Sequence, residues 1–146
     1  MARVFSIEDG TLNSATLVTS RRVDYKDIDL TFTAKPSGEI YKKVDAAAVK
    51  QAVKNLLLTS PGEKPFNPQF GGGLNRLLFE LLDDDAEDEI DDLIRISISN
   101  FEPRALVVST DIKPAPDSNS IRVTVVFQVR NTGEQVVLET TITRFR

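Results

Sequence analysis

Ile90-Asp91-Asp92-Leu93-Ile94-Arg95-Ile96-Ser97-Ile98-Ser99-Asn100-Phe101-Glu102-Pro103-Arg104-Ala105-Leu106-Val107-Val108-Ser109-Thr110-Asp111-Ile112 contains a change of hydrophobic period that decides the fold class. Up to Phe101 the apolar residues Ile90, Leu93, Ile94, Ile98 and Phe101 recur at helical spacing. Beyond Pro103 the period drops to two, with Leu106, Val108, Thr110 and Ile112 expected on one face of a strand. Pro103 explains the switch, because it lacks a backbone donor and disfavours helix in the residue before it. The helix is therefore expected to end near Phe101.

Towards the C-terminus the strand pattern repeats. Ile121, Val123, Val125, Phe127 and Val129 alternate, Asn131-Thr132-Gly133-Glu134 closes a hairpin, and Val136, Leu138, Thr140 and Ile142 alternate again before Phe145. Towards the N-terminus lie helices. Asp45 is a suitable N-cap for a helix from Ala46, with Val44 and Val49 as a hydrophobic staple and Val49, Val53, Leu56 and Leu57 as the buried stripe. Thr59-Ser60-Pro61-Gly62 ends it. The loop to Gly73 is expected to be ordered, with Phe66 and Phe70 as apolar anchors. Leu74, Leu77, Leu78, Leu81 and Leu82 mark a short helix, and Asp85 is expected to cap the next. Further upstream, Arg21 to Phe32 reads as a half-buried strand with Ile28, Leu30 and Phe32 inward, followed by a turn at Lys35-Pro36-Ser37-Gly38. The sum is an α+β domain: central helices packed on a mainly antiparallel sheet formed largely by the C-terminal third.

Composition narrows the function. At 146 residues the chain has room for one domain. It contains neither cysteine nor histidine. Thiolate metal sites, cysteine nucleophiles, the Ser-His-Asp relay and the usual general base near neutral pH are thereby excluded, and no cofactor or metal is expected. Apolar runs fall far short of the roughly 20 residues that cross a bilayer. The first residues acquire Glu8 and Asp9 before any hydrophobic stretch builds up, so a secretory leader is not expected.

Charge is unevenly distributed. Nine of the 22 acids fall between Glu80 and Asp92, where there is no base, which leaves 13 acids against 18 bases elsewhere. Such a dipolar pattern suits oppositely charged protein partners. The net charge of −4 argues against nucleic acid, and Arg122, Arg130, Arg144 and Arg146 lack the interleaved aromatics of a nucleic-acid footprint. The acid run reads as a solvated helix face rather than a calcium loop or a glycosidase pair. Gly71-Gly72-Gly73 precedes a helix, but Leu74-Asn75-Arg76 follows in place of the lysine and Ser/Thr of a nucleotide loop, so a close-packed turn is expected. Glu102-Pro103-Arg104 is the most informative tripeptide. On extended chain its carboxylate and guanidinium point the same way, either as a surface ion pair or as a rigid docking element.

In order and spacing, these segments resemble the gene 25-like baseplate wedge family of contractile-tailed phages, which has relatives in type VI secretion baseplates. The resemblance is carried by Tyr25-Lys26-Asp27-Ile28-Asp29-Leu30-Thr31-Phe32, Val44-Asp45, Asn55-Leu56-Leu57-Leu58-Thr59, Pro61-Gly62-Glu63-Lys64-Pro65-Phe66 with Phe70-Gly71, Leu78-Phe79-Glu80 and Glu102-Pro103-Arg104. Lys64 stands where the pattern usually has arginine. The resemblance implies a single domain over 1–146, with residues 1–22 as an N-terminal arm. It also implies a non-enzymatic subunit of the virion tail baseplate, assembled in the host cytoplasm, with several copies in a ring and a monomer when isolated. Glu102, Pro103, Arg104, Glu63, Lys64, Pro65 and Phe66 would bind wedge core proteins, and Arg104→Ala would weaken wedge assembly with the fold intact. An open edge of the C-terminal hairpin would accept an arm from a tail sheath subunit and so nucleate the sheath. A lysozyme-like muralytic enzyme of the tail is the alternative.

Overall fold

The computed structural model describes residues 25–77, 84–115 and 120–143. Expectations for residues 1–22, for Leu78 to Asp83, for 116–119 and for Arg144 and Arg146 lie outside them. A short antiparallel pair, β1 (Lys26–Ile28) and β2 (Lys42–Val44), precedes helix α1 (Asp45–Leu58). A single turn α2 (Leu74–Leu77) and the long helix α3 (Asp84–Phe101) follow, then strands β3 (Ala105–Ala115), β4 (Ser120–Val129) and β5 (Gln135–Thr143). The last three form an antiparallel sheet in the order β3-β4-β5. The expected α+β class is the observed one.

The core lies between that sheet and the two long helices. Val49, Val53, Leu56 and Leu57 of α1 and Ile90, Ile94 and Ile98 of α3 pack with Ile121, Val123, Val125, Phe127 and Val129 of β4. These are the stripes that periodicity marked, and α3 ends at Phe101 as Pro103 requires. Asp85 falls inside α3 rather than at its cap.

Three local expectations are corrected. Among the described residues the strand expected from Arg21 to Phe32 is only three residues long, and Ile28, Leu30 and Phe32 are exposed rather than inward. The reason is local: Asp29 accepts the Thr31 N–H at 3.0 Å, an Asx turn that bends the chain where alternation would have extended it. Phe32 follows with a left-handed φ of 52°. Asp45 also departs from its expected role. With φ at 44° it turns its carboxylate onto the Tyr25 N–H, while its own N–H donates to the Tyr25 carbonyl at 2.8 Å. Residue 44 occupies the cap position of α1 without a side-chain bond.

In β3, Val107 pairs with Phe127 but Ser109 pairs with Val126, so Val108 is the extra residue of a β-bulge. The bulge exchanges the faces. Leu106 and Val108 are exposed, Ala105 and Val107 turn to the core before the bulge, and Ile112 does so after it.

Candidate docking site

At the end of α3 the Glu102 N–H closes the last helical bond onto Ile98 at 2.8 Å, and the Glu102 carbonyl accepts from Ala105 at 3.0 Å. Glu102-Pro103-Arg104-Ala105 is thus a β-turn with proline at its second position, where its fixed φ fits. The turn, not extended chain, brings the carboxylate and guanidinium together. Arg104 donates from Nε to Glu102 Oε1 and from Nη2 to Oε2 at 2.6 Å, a bidentate pair. Glu102 is 6% exposed and Arg104 half-buried. Hydrogen bonding to Glu102 raises the Arg104 pKa above its ordinary value, against the opposing effect of burial, with a further contribution from the carboxylate charge.

The corner is assembled from distant segments. The Arg104 guanidinium lies 5.2 Å from the centroid of the Tyr25 ring, in cation–π range, and Tyr25 is held by the paired bonds with Asp45. The Arg104 carbonyl accepts the Arg130 N–H at 2.9 Å. Beside Pro103 opens a cleft of about 240 Å³ walled by Ile98 and Leu106, with Arg95 and Arg130 at its rim. Sequence reasoning did not find Tyr25, Asp45 and Arg130 as members of this corner. Nothing in local spacing links them to Glu102, although Tyr25 and Asp45 lie within segments that carried the resemblance.

This arrangement alters the expected effect of Arg104→Ala. Removing the guanidinium leaves Glu102 buried and unpaired, which costs about 3–5 kcal/mol for a fully buried pair and less for this half-exposed arginine. The fold is not a bystander to that substitution.

The loop carrying Glu63, Lys64, Pro65 and Phe66 is held by its own bonds. Glu63 accepts the Ser60 N–H at 3.0 Å, Gly62 donates to Pro68 at 2.8 Å, and Asn67 donates to Lys64 at 3.1 Å. Lys64 Nζ sits 4.2 Å from the Phe70 ring centroid, and Phe70 packs edge-on against Phe101 at 5.4 Å. Through Phe70 and Phe101 the loop joins the residue next to Glu102, so the two sets of expected docking residues are structurally connected. Phe66, expected as an anchor, is 99% exposed. Lys64 does not need the arginine fork here, since its partner is an aromatic face.

Gly71 and Gly72 fix the base of this loop against α1. A Cβ at Gly71 would stand 2.5 Å from the Thr59 carbonyl oxygen, and one at Gly72 3.0 Å from Leu57 Cα. The Gly72 N–H donates to the Leu56 and Thr59 carbonyls, so it caps a helix end and is spent as an anion donor. The acid run is engaged in the same structural way at Asp91, whose two oxygens share the Arg95 Nε–H at 2.9 Å in a bifurcated contact and which also accepts the Thr110 hydroxyl. Burial, the largest single influence, pushes the Asp91 carboxyl up, but the Arg95 and Thr110 hydrogen bonds with the Arg95 charge together hold it below its ordinary value.

Helices on one face of a three-stranded antiparallel sheet, ending in this corner, form a fold shared with contractile-tail baseplates. A chain in the baseplate of the anti-feeding prophage superposes with a TM-score of 0.59 at 23% identity, over 82% of this chain and 85% of that one. Residues 43–134 match the family described as baseplate wedge protein gp25, and the chain belongs to that family. It is 24% identical to the baseplate wedge protein gp25 of Enterobacteria phage T4 over 112 residues, 77% of this chain and 85% of the relative. A Geobacter sulfurreducens protein described as a candidate tail lysozyme has the same fold, with a TM-score of 0.61 at 19% identity over 67% of this chain and 89% of that one.

Proposed function

We propose that this chain is a structural baseplate wedge subunit of a contractile injection machine. It docks on the wedge core through the Glu102-Pro103-Arg104 corner and the Glu63 to Phe66 loop, and starts the sheath by accepting a strand on β5. The observation that carries the reading is the edge of β5. Val129 donates to Glu134 at 2.9 Å, and bonded pairs alternate along an antiparallel ladder. Val137, Glu139 and Thr141 therefore turn their N–H and C=O groups away from β4. Among the described residues, β5 has no strand partner on that side.

Six added backbone hydrogen bonds at about 0.5–1.5 kcal/mol each yield about 3–9 kcal/mol, whereas association costs about 4–15 kcal/mol. One strand addition is marginal, but several copies held in a ring make later contacts effectively intramolecular. The isolated chain should neither polymerise nor seed sheath; efficient seeding by dilute monomer, seen by electron microscopy, refutes the ring argument. Docking is tested by Phe66→Ser, which changes stability by no more than about 0.5 kcal/mol because the ring touches nothing. A pull-down with wedge proteins should lose signal, and undiminished capture removes the loop from the interface.

The muralytic alternative draws on the Geobacter likeness, which at 19% identity carries fold alone. Glu102 is a buried acid, but both its oxygens are taken by Arg104. Clearing of purified peptidoglycan by wild type but not by Glu102→Gln would establish the enzyme instead.

A further inference from the structure

Between the β1–β2 turn, the face of α1 and the edge of β5 runs a cleft of about 410 Å³. It is built rather than incidental. The Gln51 side chain, 7% exposed, donates to the Ile28 carbonyl at 2.8 Å and to Asp27, and accepts the Leu30 N–H at 3.3 Å, so the turn is tied to α1. Lys43, Lys50 and Lys54 line the cleft, with Leu30, 47% exposed, and Leu138 as its apolar contacts. Lys43 is shared with Asp29 at 3.4 Å, and Glu139 at the cleft mouth lies 3.5 Å from Arg122. Among the described residues Lys50 and Lys54 have no carboxylate partner.

We propose that this cleft selects the strand that β5 accepts: an amphipathic strand bearing acidic side chains at alternate positions, facing Lys50 and Lys54, with an apolar side chain against Leu30. The inference rests on strand addition at β5 and names its partner's chemistry. Charge complementarity sets the sign. Spacing sets the form, since four helical residues rise about 6 Å and two extended residues about 6.6 Å, so carboxylates two apart match lysines four apart. A helix would leave the outward groups of Val137, Glu139 and Thr141 unpaired, and a strand pairs them.

The test titrates the full chain, at low ionic strength, with a short peptide alternating threonine and glutamate and with its lysine counterpart, following backbone amides by NMR. The glutamate peptide should shift the amides of Val137, Glu139 and Thr141 and bind about tenfold tighter than the lysine peptide. Lys50→Glu with Lys54→Glu should reverse that order, and Thr141→Pro, which deletes an outward N–H, should abolish binding of both. Equal binding of the two peptides, unaltered by the lysine substitutions, overturns the acidic selectivity while leaving strand addition standing. Glutamate-peptide binding that survives Thr141→Pro with no shift in β5 amides overturns strand addition and the inference with it. Self-association of the chain abolished by the lysine substitutions, seen by sedimentation, assigns the cleft to the acidic helix of a second copy and likewise overturns it.

Discussion

The two edges of the C-terminal sheet are finished differently. On β3, the Ala105 N–H is already spent on Glu102, Val108 bulges, and Asp91 and Arg95 of α3 reach Thr110. Pro114, opposite Ile121, has no donor at a position where one would point away from β4. Each of these devices discourages another strand. On β5, nine residues run without a proline or a bulge. Among the described residues one edge is closed by the chain's own corner and the other has no strand partner, so the proposed strand addition has one side of the sheet to use.

The contrast can be broken from the closed side with the largest effect. Arg104→Ala should destabilise the fold by about 2–4 kcal/mol, read from denaturant midpoints, because Glu102 stays buried without its partner. Arg104→Lys should recover only part of that, since an ammonium cannot reproduce the two-pronged contact. Next comes Asp91→Asn, expected to cost about 1 kcal/mol, given that Asp91 and Arg95 are both partly exposed.

Acid should reveal the same tie. Asp91 and Asp29 have carboxyls held below the ordinary range, Asp29 chiefly by the Thr31 N–H and further by Lys43, with burial opposing. Groups of this kind stabilise the fold above the unfolded value of about 3.9 and lose that contribution as pH falls through their folded values. Their contribution should be flat from pH 7 to 5 and decline below about 4 in chemical denaturation, with a shallower decline in Asp91→Asn. On the open side the stability effects are smallest. Thr141→Pro should change stability by less than about 1 kcal/mol while eliminating sheath recruitment by assembled baseplates. If it unfolds the sheet instead, the outward assignment of the Thr141 N–H is wrong. Breaking the exposed Arg122–Glu139 pair should alter stability by about 0–1 kcal/mol.

Much of this was legible in the sequence because buried stripes have a period. Val49, Val53, Leu56 and Leu57, and Ile90, Ile94 and Ile98, are buried where the helical repeat placed them, and Pro103 marked the helix-to-strand switch. Expectations failed where short polar side chains or an extra residue outweighed the pattern. Asp29 bends the chain after β1, Asp45 serves Tyr25 rather than its own helix, and Val108 swaps the faces of β3. The Glu102–Arg104 pair was readable because its members are two residues apart. Its support from Tyr25 and Arg130, and the Lys50–Lys54 cleft beside β5, depend on tertiary contacts that no local window contains.

The wiring of the charged corner also sets the order in which a newly made subunit becomes usable. Arg104 meets the ring of Tyr25, far upstream in the sequence, and the backbone of Arg130, well downstream of it. A product that stops short of Arg130 lacks the finished corner, so the bidentate pair gains its full support only once that residue has been made.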